Sequence, residues 1–205
     1  MTQQEAKMTL IPSPTDKNAY NHLGWEELEQ IVSQCKKCPL YQSRIQTVFG
    51  NGNRQADLLI VGEAPGAQED KQGQPFVGRS GQLLNQMLHS VGVAREEVYV
   101  TNILKSRPPN NRPPKPNEVA ACLPYLLRQI ELLNCKLILA TGRTAVQYLL
   151  QSKTPLSRLR GDLHLFQNKL PLIATYHPAY LLHYPENKDK TIEDLKYVVK
   201  TLNNL

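Results

Sequence analysis

Four short apolar runs punctuate the chain, at 57–62 (DLLIVG), 98–104 (VYVTNIL), 136–141 (KLILAT) and 171–176 (PLIATY). They are too short for globular helices and rich in branched residues, so they read as buried strands. Amphipathic segments separate them. Residues 25–34 (WEELEQIVSQ) put Trp25, Leu28, Ile31 and Val32 on one helical face. The segment SGQLLNQMLHSVG predicts a helix capped by Ser80 and ended by Gly92. Further helices are predicted over 117–133 and 143–150, and a hairpin-like stretch precedes the fourth strand. The last helix is expected over 191–203, with Thr191 and Asp194 spaced as in a capping box. Strands alternating with helices imply right-handed crossovers and a mainly parallel sheet covered on both faces. Residues 1–20 are polar, contain Pro12 and Pro14, and show no period that could bury a face, so a flexible tail is expected before a single domain over 21–205.

The unusual residues gather where these strands end. GEAPG follows the first, Asn102 closes the second, TGR follows the third and YHPAY follows the fourth. In open α/β sheets the ligand crevice lies at the carboxyl ends of the strands, so these segments are expected to converge. The loop GEAPGAQED does not match the Walker or dinucleotide fingerprints, so phosphate cradling is not implied. Glu63 and Glu69 could hold a water or stabilise positive charge, although two glutamates in a polar loop more commonly face solvent. His177 could donate a hydrogen bond to an oxygen gaining negative charge, although a lone histidine is more often structural. Asn102 carries both donors and an acceptor, which suits the edge of a pyrimidine and equally suits capping a turn. Phe76 could stack on a base or anchor its loop in the core.

Composition narrows the class. The chain has 205 residues, 40% hydrophobic and 20% charged, with a net charge of +6 and a pI near 9.1. Such a chain supports a full core without disulfide staples, and its basic excess weakly favours a polyanionic partner. Lys105, Arg107, Arg112 and Lys115 stud a proline-rich loop that is expected to be stiff, exposed and suited to phosphate contacts. No signal peptide or long apolar run is evident, so a cytoplasmic protein with no membrane role is expected. In a reducing compartment Cys35, Cys38, Cys122 and Cys135 suggest metal, catalysis or inert burial, and the close pair Cys35 and Cys38 favours metal.

Five ordered motifs, CKKCPL, FGNGN, GEAPGAQEDKQGQPFVGRSGQLL, VYVTNILKSRPPNNR and YHPAYLL, run from Cys35 to Leu182. Together they resemble a family 4 uracil-DNA glycosylase, the thermostable-type, iron-sulfur branch of the uracil-DNA glycosylase superfamily. The resemblance implies a three-layer α/β/α domain with a central four-stranded, mainly parallel sheet, acting on uracil in single- or double-stranded DNA in base excision repair; a monomer is the default expectation. It implies that Glu63 and Glu69 activate water and stabilise charge, that Ala64, Gly66, Phe76 and Asn102 contact the base, and that His177 holds its oxygen. Arg107, Arg112, Leu181 and Leu182 would contact DNA, one of the leucines filling the gap left by the flipped base. A [4Fe-4S] cluster is implied at Cys35, Cys38, Ser106 and Cys122, and Ser106 stands where the family has cysteine. A serine oxygen binds iron only after losing its proton and suits iron-sulfur chemistry less well than a thiolate. Three outcomes stay open: a cluster with Ser106 or an outside ligand, a cluster completed by Cys135, or none. Two other functions also remain, a glycosylase for other deaminated bases and a DNA-binding module of the same fold without catalysis.

Overall fold

The computed structural model describes residues 20–205. Nearly all of the expected N-terminal tail therefore lies outside the described residues. Tyr20 at its boundary is buried and stacks on Tyr125, with ring centroids 4.8 Å apart.

One six-stranded sheet organises the described residues, in the order β1-β3-β2-β4-β6-β5. The strands are β1 (Asn51–Gly52), β2 (Leu58–Gly62), β3 (Val98–Asn102), β4 (Leu137–Thr141), β5 (Leu163–Phe166) and β6 (Leu170–Thr175). The four strands expected from the apolar runs form its parallel centre, β3-β2-β4-β6. The antiparallel edge β1 is additional, and β5 pairs with β6 in the hairpin expected before the fourth strand. Neither edge carries a continuous apolar run: β1 is two residues inside a glycine and asparagine loop, and Leu163 and Leu165 of β5 remain exposed.

The helices are α1 (Trp25–Ser33), α2 (Ala67–Gln72), α3 (Arg79–Ser90), α4 (Pro116–Leu133), α5 (Arg143–Leu150), α6 (Leu156–Leu159), α7 (Pro178–His183) and α8 (Lys188–Leu202). Strand side chains alternate between faces, and each face has its own core. Leu59, Val61, Tyr99, Ile138 and Ala140 pack with α1, α4 and α5, whereas Leu58, Ile60, Val100 and Leu139 pack with α3, α7 and α8. The result is the expected three-layer α/β/α sandwich. Leu28 and Val32 are the buried residues of α1; Trp25 is half-buried, and Ile31 of the predicted face is exposed.

Two predicted caps are corrected. Ser80 lies inside α3, whose N-cap is Gly78: the Gln82 amide that Ser80 would have capped donates to the Gly78 carbonyl at 3.0 Å as part of the helix ladder. At the other end of α3, Gly92 follows the C-cap Val91 in a left-handed conformation, φ 79°. Helix α8 begins at Lys188, one turn earlier than expected, so Thr191 lies inside it and bonds the Asn187 carbonyl.

Asp194 serves the tertiary structure instead. Its buried carboxylate accepts hydrogen bonds from Thr175 Oγ1 at 2.6 Å and from Arg160 Nε and Nη2 at 3.1 and 2.7 Å. The guanidinium also lies 5.5 Å from the Tyr176 ring centroid. This network fixes the end of β6, from which the YHPAY segment departs. Removing one partner of a buried pair leaves the other uncompensated, so Asp194→Ala is expected to lower unfolding stability by about 3–5 kcal/mol. Urea denaturation checks this, and a loss under about 1 kcal/mol would contradict the assigned role.

Candidate active site

Strand register brings the four motif-bearing ends level. Gly62 pairs with Asn102 across β2 and β3, and Thr141 pairs with Thr175 across β4 and β6. A cavity of about 400 Å³ opens there, its wall including Glu63, Ala64, Gly66, Glu69, Phe76, Asn102, Arg112 and His177. Residues scattered from position 63 to 177 thus share one pocket because parallel strands end on the same side of the sheet.

Asn102 and Phe76 are packed through the absence of a side chain at Gly62. A Cβ at Gly62 would fall on Asn102 Oδ1 and within 2.6 Å of Phe76 Cζ. The Phe76 backbone adopts φ 55°, a conformation that non-glycine residues seldom take. Gly81 lies directly beneath it, where any Cβ would overlap the Phe76 carbonyl. Asn102 is 2% exposed, and no protein donor among the described residues reaches its Oδ1.

The two glutamates are used differently. Glu69 is buried and its Oε1 accepts the Val77 and Gly78 amides at 3.0 and 2.8 Å, pinning the Phe76 loop. Glu63 is half-buried at the cavity and accepts a hydrogen bond from Thr144 Oγ1. His177 is the N-cap of α7, and its Nδ1 accepts the Ala179 amide at 3.1 Å. In the neutral ring the proton is therefore on Nε2, which is left as a donor. Burial pushes the imidazole down to about 4, against the opposing charge of Glu69. Its ring lies 5.6 Å from that of Phe76.

Part of the basic loop is not exposed. Lys105 is 1% exposed, and its ammonium donates to Thr101 Oγ1 at 2.6 Å and to the Asn102 carbonyl at 2.8 Å. Burial pushes it down to about 7, against the nearby Cys122. The expected phosphate contact at Lys105 is thereby replaced by a structural one. Arg107 Nε bonds Asn111 Oδ1 at 2.7 Å, and Arg112 forms a forked pair with Glu118, at 2.9 and 2.5 Å. Leu181 is fully buried in the α3-side core, so of the two leucines only Leu182 reaches the surface.

The proposed cluster residues lie around the other side of the loop after β3. Arg44 Nη1 donates to Ser106 Oγ at 2.9 Å and Nη2 to the Cys35 carbonyl at 2.7 Å. Tyr125 donates its hydroxyl to Cys35 Sγ at 3.2 Å, and the Lys105 amide donates to Cys122 Sγ at 3.2 Å. Burial raises the Cys38 thiol and pushes Cys122 up to about 12. Among the described residues no group of three or more His, Cys, Asp or Glu side chains is placed to hold a metal ion. Cys135 precedes β4 at the opposite end of the sheet from Ser106. The strand length, five residues at about 3.3 Å each, separates them, so Cys135 cannot complete a cluster.

Sequence reasoning missed several residues of the wall. Ser80, Arg143 and Tyr180 also line the cavity, and Thr144 follows the TGR segment that had marked the place. Tyr180 also stacks between Tyr176 and Tyr184, at 5.1 and 4.6 Å. The four-residue spacing of these tyrosines was the available signal.

A model of the uracil DNA glycosylase superfamily matches residues 49–201. The chain is 42% identical over 183 residues to a type-4 uracil-DNA glycosylase of Archaeoglobus fulgidus, covering 84% of this chain and 92% of that protein. It is 43% identical over 178 residues to the type-4 enzyme of Thermotoga maritima, covering 83% and 93%. Similarity extends to a type-5 uracil-DNA glycosylase of Thermus thermophilus, 28% identical over 192 residues, covering 74% of this chain and 85% of that protein.

The site makes two predictions. His177 should titrate with a midpoint near 4 in an NMR pH series, and a midpoint near the ordinary 6.5 would contradict the half-buried, neutral ring. The depressed value also sets a sign: on acidification below the unfolded value the unfolded chain takes up this proton first, so His177 disfavours the fold progressively from about pH 6.5 towards 4. Gly62→Ala should displace Phe76 or Asn102 and lower stability by about 1–3 kcal/mol; unchanged stability and an unchanged Phe76 ring position in a crystal structure would refute the close approach.

Proposed function

The chain belongs to the uracil DNA glycosylase superfamily, and we propose that it excises uracil from DNA, hydrolysing the N-glycosidic bond to leave an abasic site in base excision repair. The observation that carries this reading is the unpaired, buried Asn102 Oδ1 beside Phe76 and the Nε2–H of His177 in one cavity. A uracil ring presents an N–H between two carbonyl oxygens. Stacked on Phe76, it would donate that N–H to Asn102 Oδ1, accept from the Asn102 amide nitrogen and place its other oxygen towards His177 Nε2.

Extruding the nucleotide costs a few kcal/mol, least where pairing is already weak. As the bond from the sugar C1′ to uracil N1 breaks, the electron pair leaves with the base and positive charge develops on the sugar. A neutral His177 donates to the oxygen that gains charge, without giving up its own proton. Glu63, with one oxygen held by Thr144, supports the sugar cation and orients the water whose oxygen joins C1′, taking up the water's proton. Glu69 positions the Phe76 loop through its two backbone amides. Ala64 and Gly66 bring backbone against the base. Arg107, Arg112 and the exposed Leu182 supply the DNA-facing contacts, with Leu182 the side chain that enters the vacated stack. One domain holds the whole cavity, so a monomer suffices.

The four-thiolate [4Fe-4S] site of the resembling family does not fit the residues present. Cys35, Cys38 and Cys122 supply three thiols, the hydroxyl of Ser106 is already engaged by Arg44, and Cys135 lies at the far end of β4. No step of excision is routed through such a group.

His177→Ala and Asn102→Ala are each expected to lower single-turnover excision from a uracil-containing oligonucleotide by about 100–1,000-fold, while affinity for DNA is retained. Unchanged turnover in both would refute the assignment. A panel of substrates bearing other deaminated bases distinguishes a broader glycosylase, and salt-sensitive DNA binding without an abasic product would identify a non-catalytic module.

A further inference from the structure

The turn at 34–44 and the loop after β3 meet at a joint that the excision chemistry does not use. Arg44 bridges its two sides, donating from Nη1 to Ser106 Oγ at 2.9 Å and from Nη2 to the Cys35 carbonyl at 2.7 Å. Ser106 is 3% exposed. Two further contacts tie the same elements: Tyr125 Oη of α4 to Cys35 Sγ at 3.2 Å, and the Lys105 amide to Cys122 Sγ at 3.2 Å. Lys37 adds a hydrogen bond to Tyr20 Oη at 2.5 Å and lies 5.0 Å from the centroid of that ring, which stacks on Tyr125.

We infer that the Arg44–Ser106 hydrogen-bonded bridge holds the 34–44 turn against the loop after β3 in this chain, in place of a four-iron cluster. The chemistry of the donor set favours this. Iron-sulfur clusters are held by thiolates, and serine must become an alkoxide to serve. A guanidinium donating to Ser106 Oγ satisfies that oxygen as a neutral, buried hydroxyl. The bridge also explains why serine is well accommodated where a thiol would make a poorer, longer hydrogen bond: the hydroxyl is a good acceptor at ordinary distance. Through Lys105, the neighbour of Ser106, the joint reaches the Asn102 carbonyl, so the bridge steadies the base-reading end of β3 as well.

The inference rests on the family placement but not on the excision reading, and its test uses no activity. Purified full-length protein and Ser106→Cys would be incubated anaerobically with iron, sulfide and thiol, desalted, and measured for iron content and absorbance near 400 nm. The expected result is about four iron atoms and visible absorbance in Ser106→Cys, which restores a four-thiolate set, and neither in the unaltered protein. Equal iron in the two proteins, whether none or a full complement, overturns the inference. In parallel, Arg44→Gln, which removes the forked donor, is expected to lower the Tm of the untreated protein by about 2–6 °C. A Tm within about 1 °C of the unaltered protein would equally overturn it. Should Ser106→Cys fail to fold, loading of the unaltered protein and the Arg44→Gln Tm still decide the matter.

Discussion

The side-chain oxygen of Asn102 is buried with no protein donor among the described residues, and an unsatisfied buried acceptor costs about 1–3 kcal/mol until a donor reaches it. The surrounding structure keeps that oxygen where it is. Gly62 on the neighbouring strand leaves room for it and for the Phe76 ring, Lys105 holds the Asn102 carbonyl from behind, and the parallel register of β2 and β3 sets the depth. An arrangement that retains an unpaired acceptor at the floor of a cavity is preorganised for a ligand that brings a donor.

The cavity combines that acceptor with charges of defined state. His177 is held neutral by burial and fixed in one tautomer by the Ala179 amide, so it can stabilise a developing anion without first losing a proton. Glu69 supplies negative charge near the imidazole while its own oxygen staples the loop carrying Phe76. Glu63 faces the cavity with Thr144 at one oxygen. The two carboxylates that look alike in the sequence therefore divide into one that shapes the pocket and one that faces the reacting sugar in the proposed reaction.

The central sheet was legible because buried parallel strands are continuous apolar runs, and the strand ends located the pocket through topology alone. The β1 edge was not, since Asn51–Gly52 looks like turn, and β5 was legible only as a hairpin-like stretch because it mixes buried and exposed positions. Local rules failed where tertiary partners competed for the same groups. Ser80 was expected to cap α3, but Glu69 holds the Val77 and Gly78 amides, the helix starts at Arg79, and the Gln82 amide that Ser80 would have capped donates to the Gly78 carbonyl. Asp194 matched a capping spacing and instead anchors Arg160 and Thr175. Lys105 matched a basic surface loop, yet it folds inward where the Thr101 hydroxyl and Asn102 carbonyl accept its ammonium. Leu181 and Leu182 are adjacent and chemically identical, and only the rotation of α7 against α3 decides which one is buried. The contact of Arg44 with Ser106, 62 residues apart, has no local signature.

A crystal structure of the protein with a deoxyuridine-containing DNA, made unreactive by substitution on the sugar, tests the shared pocket most directly. The account predicts the extruded uracil stacked on Phe76, its ring N–H on Asn102 Oδ1, and one carbonyl oxygen within hydrogen-bond distance of His177 Nε2. A base bound elsewhere, or one seated in the cavity with Asn102 Oδ1 still unpaired, would contradict it.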